Sequence, residues 1–357
     1  MAAPRGRRRR CPLCLAAVAA LRLAGGEPRV PRIIWSFWND HSSLPRVVRL
    51  ALASWAAFAP AYDARLLGAH NWQGALGTEA AGANSTNAAG GNNLFADWLR
   101  FQLLASHGGV WMDATVVLTA PLDLLVNETA ELSGVHLDGA LFESYFLAAV
   151  PGSKIITGWR DEFSRIALMS EQEYDLYLAG LKARGVEPLN GQFAVCHWAD
   201  KDQVRALLHQ ALHAAAWLGN LFIGYTGRYV HPCGQRFWMH YLNSFVAFNA
   251  VVETDGGDPR PLWDRFGVSA QNTRETLSLA AHLNKWEDDE TARFLATRGS
   301  AEVDLRRIRG VKLRNKERRA LEAWSHCEEG SIICRVQGLV NLSVFEERPW
   351  AAEAVEL

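Results

Sequence analysis

Asp97, Arg100 and Asp113 lie within one stretch, Asn93 to Leu118, whose other residues are mostly apolar. Asp97 and Arg100 are three residues apart, so on a helix both side chains emerge on the same side, where they can pair or grip one ligand together. Asp113 interrupts the apolar run Val110-Trp111-Met112 and Val116-Val117-Leu118. A carboxylate in a buried strand is costly unless it is paired or bound to a metal, which makes Asp113 the first functional candidate.

The elements that must position these groups follow from hydrophobic period. Leu94, Trp98, Phe101 and Leu104/Ala105 recur at three- and four-residue intervals, the face of a buried helix, and Gly108-Gly109 stops it. The run from Val110 to Leu118 is too continuous for a half-exposed strand and reads as buried on both faces. Upstream, Ile33 to Trp38 reads as a first buried strand, Leu44-Pro45 to Phe58 as an amphipathic helix ended by Pro60, and Tyr62 to Leu67 as a second strand. Ligands of such α/β sheets gather beyond the carboxyl ends of the strands, where Trp38 and Asn39 belong. Gly68 to Asn93, rich in Gly, Ala and Asn without apolar period, reads as a mobile loop (residues 68–93) ahead of the key helix.

Downstream, Leu141 to Gly152 reads as a strand pair leading into a helix from Lys154 to Ala167. Glu171 to Ala215 reads as mostly helical, with His197 as a core histidine, and Phe237 to Asn243 as the start of another helix. Asp304 to Arg319 carries Arg306, Arg307, Arg309, Lys312, Arg314, Lys316, Arg318 and Arg319 and reads as a solvated helix face. An anionic acceptor or a membrane surface is the other reading of that stretch. Ser331 to Phe345 is taken as late strands stapled by Cys334.

The 357 residues suffice for a substantial core, and a net charge of −1 gives no reason to expect nucleic acid. Residues 1–26 have an Arg-rich front and a short apolar stretch containing Arg22, the form of a cleaved secretory leader or short signal anchor. If that segment is kept as an anchor, it would attach the chain to a membrane through the N-terminus. Sequons at Asn84, Asn127 and Asn341 agree with a secretory route through the endoplasmic reticulum or Golgi lumen. Beyond the leader, Cys196, Cys233, Cys327 and Cys334 suit an oxidising lumen, with three pairings open.

The stretch Ala96-Asp97-Trp98-Leu99-Arg100 followed by Gly108-Gly109-Val110-Trp111-Met112-Asp113-Ala114-Thr115 resembles the glycosyltransferases of the capsular polysaccharide synthesis type, themselves related to α-mannosyltransferases and glucosylating clostridial toxins. There, a pattern like S-D-x-x-R leads through Gly-Gly into a strand with a metal-binding Asp. The wider group has D-x-D at the strand end, whereas this chain has the Asp-Ala-Thr of the capsular branch, which leaves a second metal ligand unidentified. The resemblance continues at Val30 to Trp38, whose last aromatic lies against the nucleotide base in the family, and through Glu143, Tyr145 and Trp159. It continues more loosely at Phe237 to Tyr241 and Pro261 to Phe266.

The resemblance implies an α/β, GT-A-like nucleotide-sugar-binding fold, a Rossmann-type sheet flanked by helices. This domain spans residues 27–270, with a helical, basic C-terminal extension and late strands over residues 271–357. It implies transfer of a hexose from a UDP- or GDP-sugar to a glycan or polysaccharide acceptor, mostly with retention. Trp38, Asp97, Arg100, Gly108 and Gly109 would then bind the nucleotide sugar, and Glu143 and His240 would lie on the acceptor side. Physically, a diphosphate leaves more readily when a divalent ion neutralises it. Asp113 suits a hard cation such as Mn2+ or Mg2+, Asp97 can accept from hydroxyls, Arg100 can fork onto phosphates, and Trp38 offers an apolar face. Two other classes remain: an inactive sugar-binding or scaffold relative, and a metal-dependent hydrolase using Asp113 with His231 or His240.

Overall fold

The computed structural model describes residues 29–77, 92–137, 141–186, 236–252, 267–284 and 288–342. The leader, the sequon at Asn84, Cys196, Cys233, His197, His231 and Pro261 to Phe266 lie outside the described residues.

The chain begins with β1 (Ile33–Phe37), α1 (Arg46–Phe58) and β2 (Asp63–Leu67), the strand-helix-strand order expected. A short helix, α2 (Trp72–Leu76), lies in the segment read as loop, because Trp72 and Leu76 find an apolar neighbour in the next helix. That helix is α3 (Asn92–His107), followed by β3 (Gly109–Met112) and β4 (Val116–Leu118). The expected continuous strand is thus broken: the backbone turns at Asp113, whose carbonyl accepts from Val116 N at 2.9 Å, and β3 and β4 enter different sheets. Next come β5 (Leu132–Leu137), β6 (Leu141–Ala149), α4 (Lys154–Ala167), α5 (Glu171–Ala183) and α6 (Arg236–Val252). The described chain ends with β7 (Val268–Asn272), β8 (Leu277–Leu279), α7 (Ala280–Leu283), α8 (Asp288–Ala296), β9 (Gly310–Lys312), α9 (Asn315–Glu322) and α10 (Ile332–Leu339).

The main sheet has six strands in the order β2-β1-β3-β6-β5-β7, and every pairing is parallel except those made by β6. Alternation sorts its side chains between two cores. Ile34, Val110, Met112, Phe146 and Ala148 face α1 and the C-terminal elements, while Trp35, Trp111, Leu147 and Ala149 face α3, α4 and α6. Coverage of both faces explains why these strands read as unbroken apolar runs. A second sheet, β4-β9-β8, has three strands and ties residues 310–312 to the turn after Asp113. Trp55 Nε1 donates to Val116 O at 2.8 Å and Leu118 N donates to Ser54 Oγ at 2.9 Å, so α1 clamps β4.

An aromatic chain fixes α3. Phe101 meets Trp159 of α4 at 4.6 Å between centroids, Trp159 meets Phe248 of α6 at 4.7 Å, and Phe248 stacks on Phe142 of β6 at 4.5 Å. Each such pair adds about 0.5–1.5 kcal/mol to area burial, and together they hold the turn that carries Arg100. Residues 332–339 form a helix and not the late strand expected there. Ser331 Oγ caps it by accepting from Cys334 N, and Ile332, Ile333 and Val336 bury one face. Cys327 and Cys334 form a disulfide with a Cα–Cα distance of 5.7 Å. Among the described residues no helix is long and apolar enough to cross a membrane.

Candidate functional site

Asp97 and Arg100 project from α3 toward Asp113, which follows β3 at its carboxyl end. Arg100 Nη1 is 2.7 Å from Asp97 Oδ1, and Arg100 Nη2 donates to Asp113 Oδ1 at 2.9 Å. The helical spacing expected to pair or grip a ligand therefore pairs, and the same guanidinium reaches across to the strand end. Arg100 is buried, with its guanidinium carbon 5.0 Å from the centre of the Trp111 ring. Trp111 Nε1 also donates to Asp113 Oδ1, at 3.0 Å. Asp113 N donates to Tyr145 O at 3.0 Å, extending the β3–β6 ladder by one step past Met112.

The other oxygen of Asp113 is held by a residue that sequence reasoning put elsewhere. Lys312 Nζ donates to Asp113 Oδ2 at 2.6 Å and to Thr115 Oγ1 at 2.8 Å, and lies 5.9 Å from the Tyr145 ring centre. The basic stretch from Asp304 to Arg319 is accordingly not one solvated helix face. Part of it is β9, and Leu305, Ile308, Val311 and Leu313 within it are buried. The alternation Val311-Lys312-Leu313 was the available signal, since a strand with apolar residues on either side of a lysine places that lysine on the opposite face.

Glu143 is buried on β6 on the same face as Tyr145, and the charges of Lys312, Asp113, Arg100 and Arg314 all act on it. Burial pushes its carboxyl up to about 7, against the pull of Lys312 and Arg100. Burial likewise pushes Asp97 up to about 6, partly offset by Arg100. Burial would raise Asp113 too, but Lys312 and Arg100 outweigh it and hold this carboxyl below the usual range.

Trp38 sits just past β1, its N–H donating to Leu67 O at 2.8 Å, at the sheet edge expected for it. Its ring carries the guanidinium of Arg318, with the carbon 5.3 Å from the centroid. Gly108 and Gly109 stand at the opposite end of β3 from Asp113. Their φ values are 64° and 96°, and a Cβ would lie 2.7 Å from Pro151 N at Gly108 and 2.9 Å from Ile33 O at Gly109. The two glycines turn the chain from α3 into β3, and the structure does not bring them together with the charged cluster. His240 falls in α6, where only its backbone is described.

Among the described residues no group of three or more His, Cys, Asp or Glu side chains is arranged to hold a divalent cation. Both oxygens of Asp113 are already engaged, one by Arg100 and Trp111 and the other by Lys312. As arranged, these residues do not fit a bound Mn2+ or Mg2+ at Asp113.

Residues 25–178 match the family model described as capsular polysaccharide synthesis protein. That span holds Trp38, Asp97, Arg100, Asp113 and Glu143, whereas Lys312 lies outside it. A solved structure titled PaToxG Glycosyltransferase is similar at 12% identity over 55% of this chain and 83% of its own, with a TM-score of 0.30, a likeness that assigns neither fold nor activity. No curated protein matches the chain.

Proposed function

We propose that this chain is a glycosyltransferase of GT-A-like architecture that moves a hexose from a nucleotide-diphosphate sugar to a glycan or polysaccharide acceptor. The observation that carries this reading is the capsular polysaccharide synthesis match over residues 25–178, whose charged residues gather at the carboxyl edge of a parallel-rich sheet. That edge is where α/β sheets take nucleotides. In the reaction, the bond from sugar C1 to the phosphate oxygen breaks with its electron pair left on the diphosphate. The acceptor hydroxyl oxygen bonds C1, and its proton passes to the departing phosphate oxygen. This chain's residues would position the donor and neutralise the charge that grows on the diphosphate. Glu143, buried beside the cluster, would lie on the acceptor side.

The Cys327–Cys334 disulfide supports an oxidising compartment, and with it the secretory route read from the N-terminal residues. The test is turnover of a panel of UDP- and GDP-sugars, with glycan acceptors and mass-spectrometric detection of product. Release or transfer of one sugar, reduced at least a hundredfold in Asp97→Asn, is the expected result. No turnover and no binding of any donor by folded protein would favour the inactive sugar-binding relative.

A further inference from the structure

Asp113 is the residue of the cluster most exposed at the sheet edge, and what compensates it is a lysine delivered from 199 residues away. We propose that Lys312 takes the place of a divalent cation in this site, binding the donor's diphosphate beside Asp113 so that donor binding needs no metal. The proposal rests on the glycosyltransferase reading for the identity of the donor, and on the geometry alone for the role of Lys312.

Four observations carry it. First, Lys312 is mounted on a rigid element: β9 pairs with β4 on one side and β8 on the other, with Lys312 opposite Val116, and Leu313 N donates to Thr115 O at 3.1 Å. Second, its ammonium is oriented. Thr115 Oγ1 donates its proton to Leu313 O at 2.7 Å, so toward Lys312 the same oxygen acts as acceptor. Third, an ammonium has three N–H donors, and Asp113 and Thr115 account for two among the described residues. The third is left for a phosphate oxygen arriving at an edge where the Asp113 side chain is 25% exposed. Fourth, every carboxylate contact that a divalent ion would need at Asp113 is already made by cations of the chain, Arg100 on one oxygen and Lys312 on the other. An ammonium 2.6 Å from Asp113 Oδ2 also stands where such an ion would have to bind.

Two titrations on the full chain test this. In the first, Mn2+ alone is followed by electron paramagnetic resonance with wild type, Asp113→Asn and Lys312→Met. Wild type is expected to bind no more Mn2+ than Asp113→Asn, and Lys312→Met, with Asp113 released, to bind it at least tenfold more tightly than wild type. A single Mn2+ bound by wild type and lost in Asp113→Asn overturns the proposal. In the second, the UDP- and GDP-sugar panel is titrated calorimetrically in EDTA and in Mn2+. Affinity is expected to be the same in both, to fall at least tenfold in Lys312→Met, and to return in large part in Lys312→Arg, with thermal melts confirming that each variant is folded. A tenfold loss of wild-type affinity in EDTA, or wild-type affinity in Lys312→Met, overturns it. If no nucleotide sugar binds under either condition, the glycosyltransferase reading falls, and the Mn2+ titration still decides whether Lys312 or a metal compensates Asp113.

Discussion

Asp97 to Asp113 and Asp304 to Arg319 are both conspicuous for charge, yet the first was legible as one charged cluster and the second was not. In the first stretch, partners lie three and thirteen residues apart, on a helix and a strand end joined by Gly108-Gly109, so local period places them on one side. In the second, the charges part company. Arg306 has a side chain 92% exposed and pairs with Asp304 in solvent, as a solvated face should, while Lys312 is only 13% exposed and bonded to Asp113. Arg314 closes onto the fully buried Glu317, and Arg318 covers Trp38. The difference teaches that a run of like charge is not one object. The apolar residues threaded through it, here Ile308, Val311 and Leu313, decide which charges are drawn inward.

The largest effect expected from this contrast is that of Asp113→Asn, which leaves Lys312 and Arg100 facing a neutral group. Removing one member of a buried pair strands the other charge. Because Asp113 is partly exposed, the cost should be about 2–3 kcal/mol in a denaturant titration. A loss of a few tenths would mean that the pair is as weak as those on the surface.

A pH series sharpens the same contrast. Asp97 and Glu143 are raised from 3.8 and 4.5 to about 6 and about 7, chiefly by burial, so the folded protein binds more protons than the unfolded chain between about pH 4 and pH 7. Stability attributable to them is therefore highest at the acid end, falls as pH rises through that window, and is level above it. Asp113 acts in the opposite sense, losing its contribution as pH falls below its unfolded value of 3.8. The melting temperature of an Asp97→Asn, Glu143→Gln double variant should decline less from pH 4.5 to pH 7 than that of wild type; equal slopes would contradict the burial of both groups.

Smaller effects separate the motif from the exposed end of the basic stretch. Trp111→Phe keeps a ring under Arg100 but removes the Nε1–H that Asp113 accepts, at a cost of about 1 kcal/mol by chemical denaturation. Arg306→Ala should leave the unfolding midpoint unchanged, because its partner Asp304 remains solvated.

How much could be read in advance tracks the sequence separation of the contact. The first strands, α1, α3 and α4 were legible because each carries its own period and its own stop. The break at Asp113 was not, because the β4 strand that draws the chain away is paired by β9, nearly two hundred residues on. Ser331 to Phe345 misled through its β-branched Ile332, Ile333 and Val336. The N-cap Ser331 was the local cue that those residues begin a helix. Gly108 and Gly109 were correctly read as a stop, and the length of β3 separates them from Asp113.

The most direct test of the join between the two stretches is a double-mutant cycle on unfolding free energy with Asp113→Asn, Lys312→Met and the pair together. A bonded pair at 2.6 Å should give a coupling of about 1.5–3 kcal/mol, the double variant losing far less than the sum of the singles. Strict additivity within about 0.3 kcal/mol would show that Lys312 does not hold Asp113. The basic stretch would then return to being a solvated face.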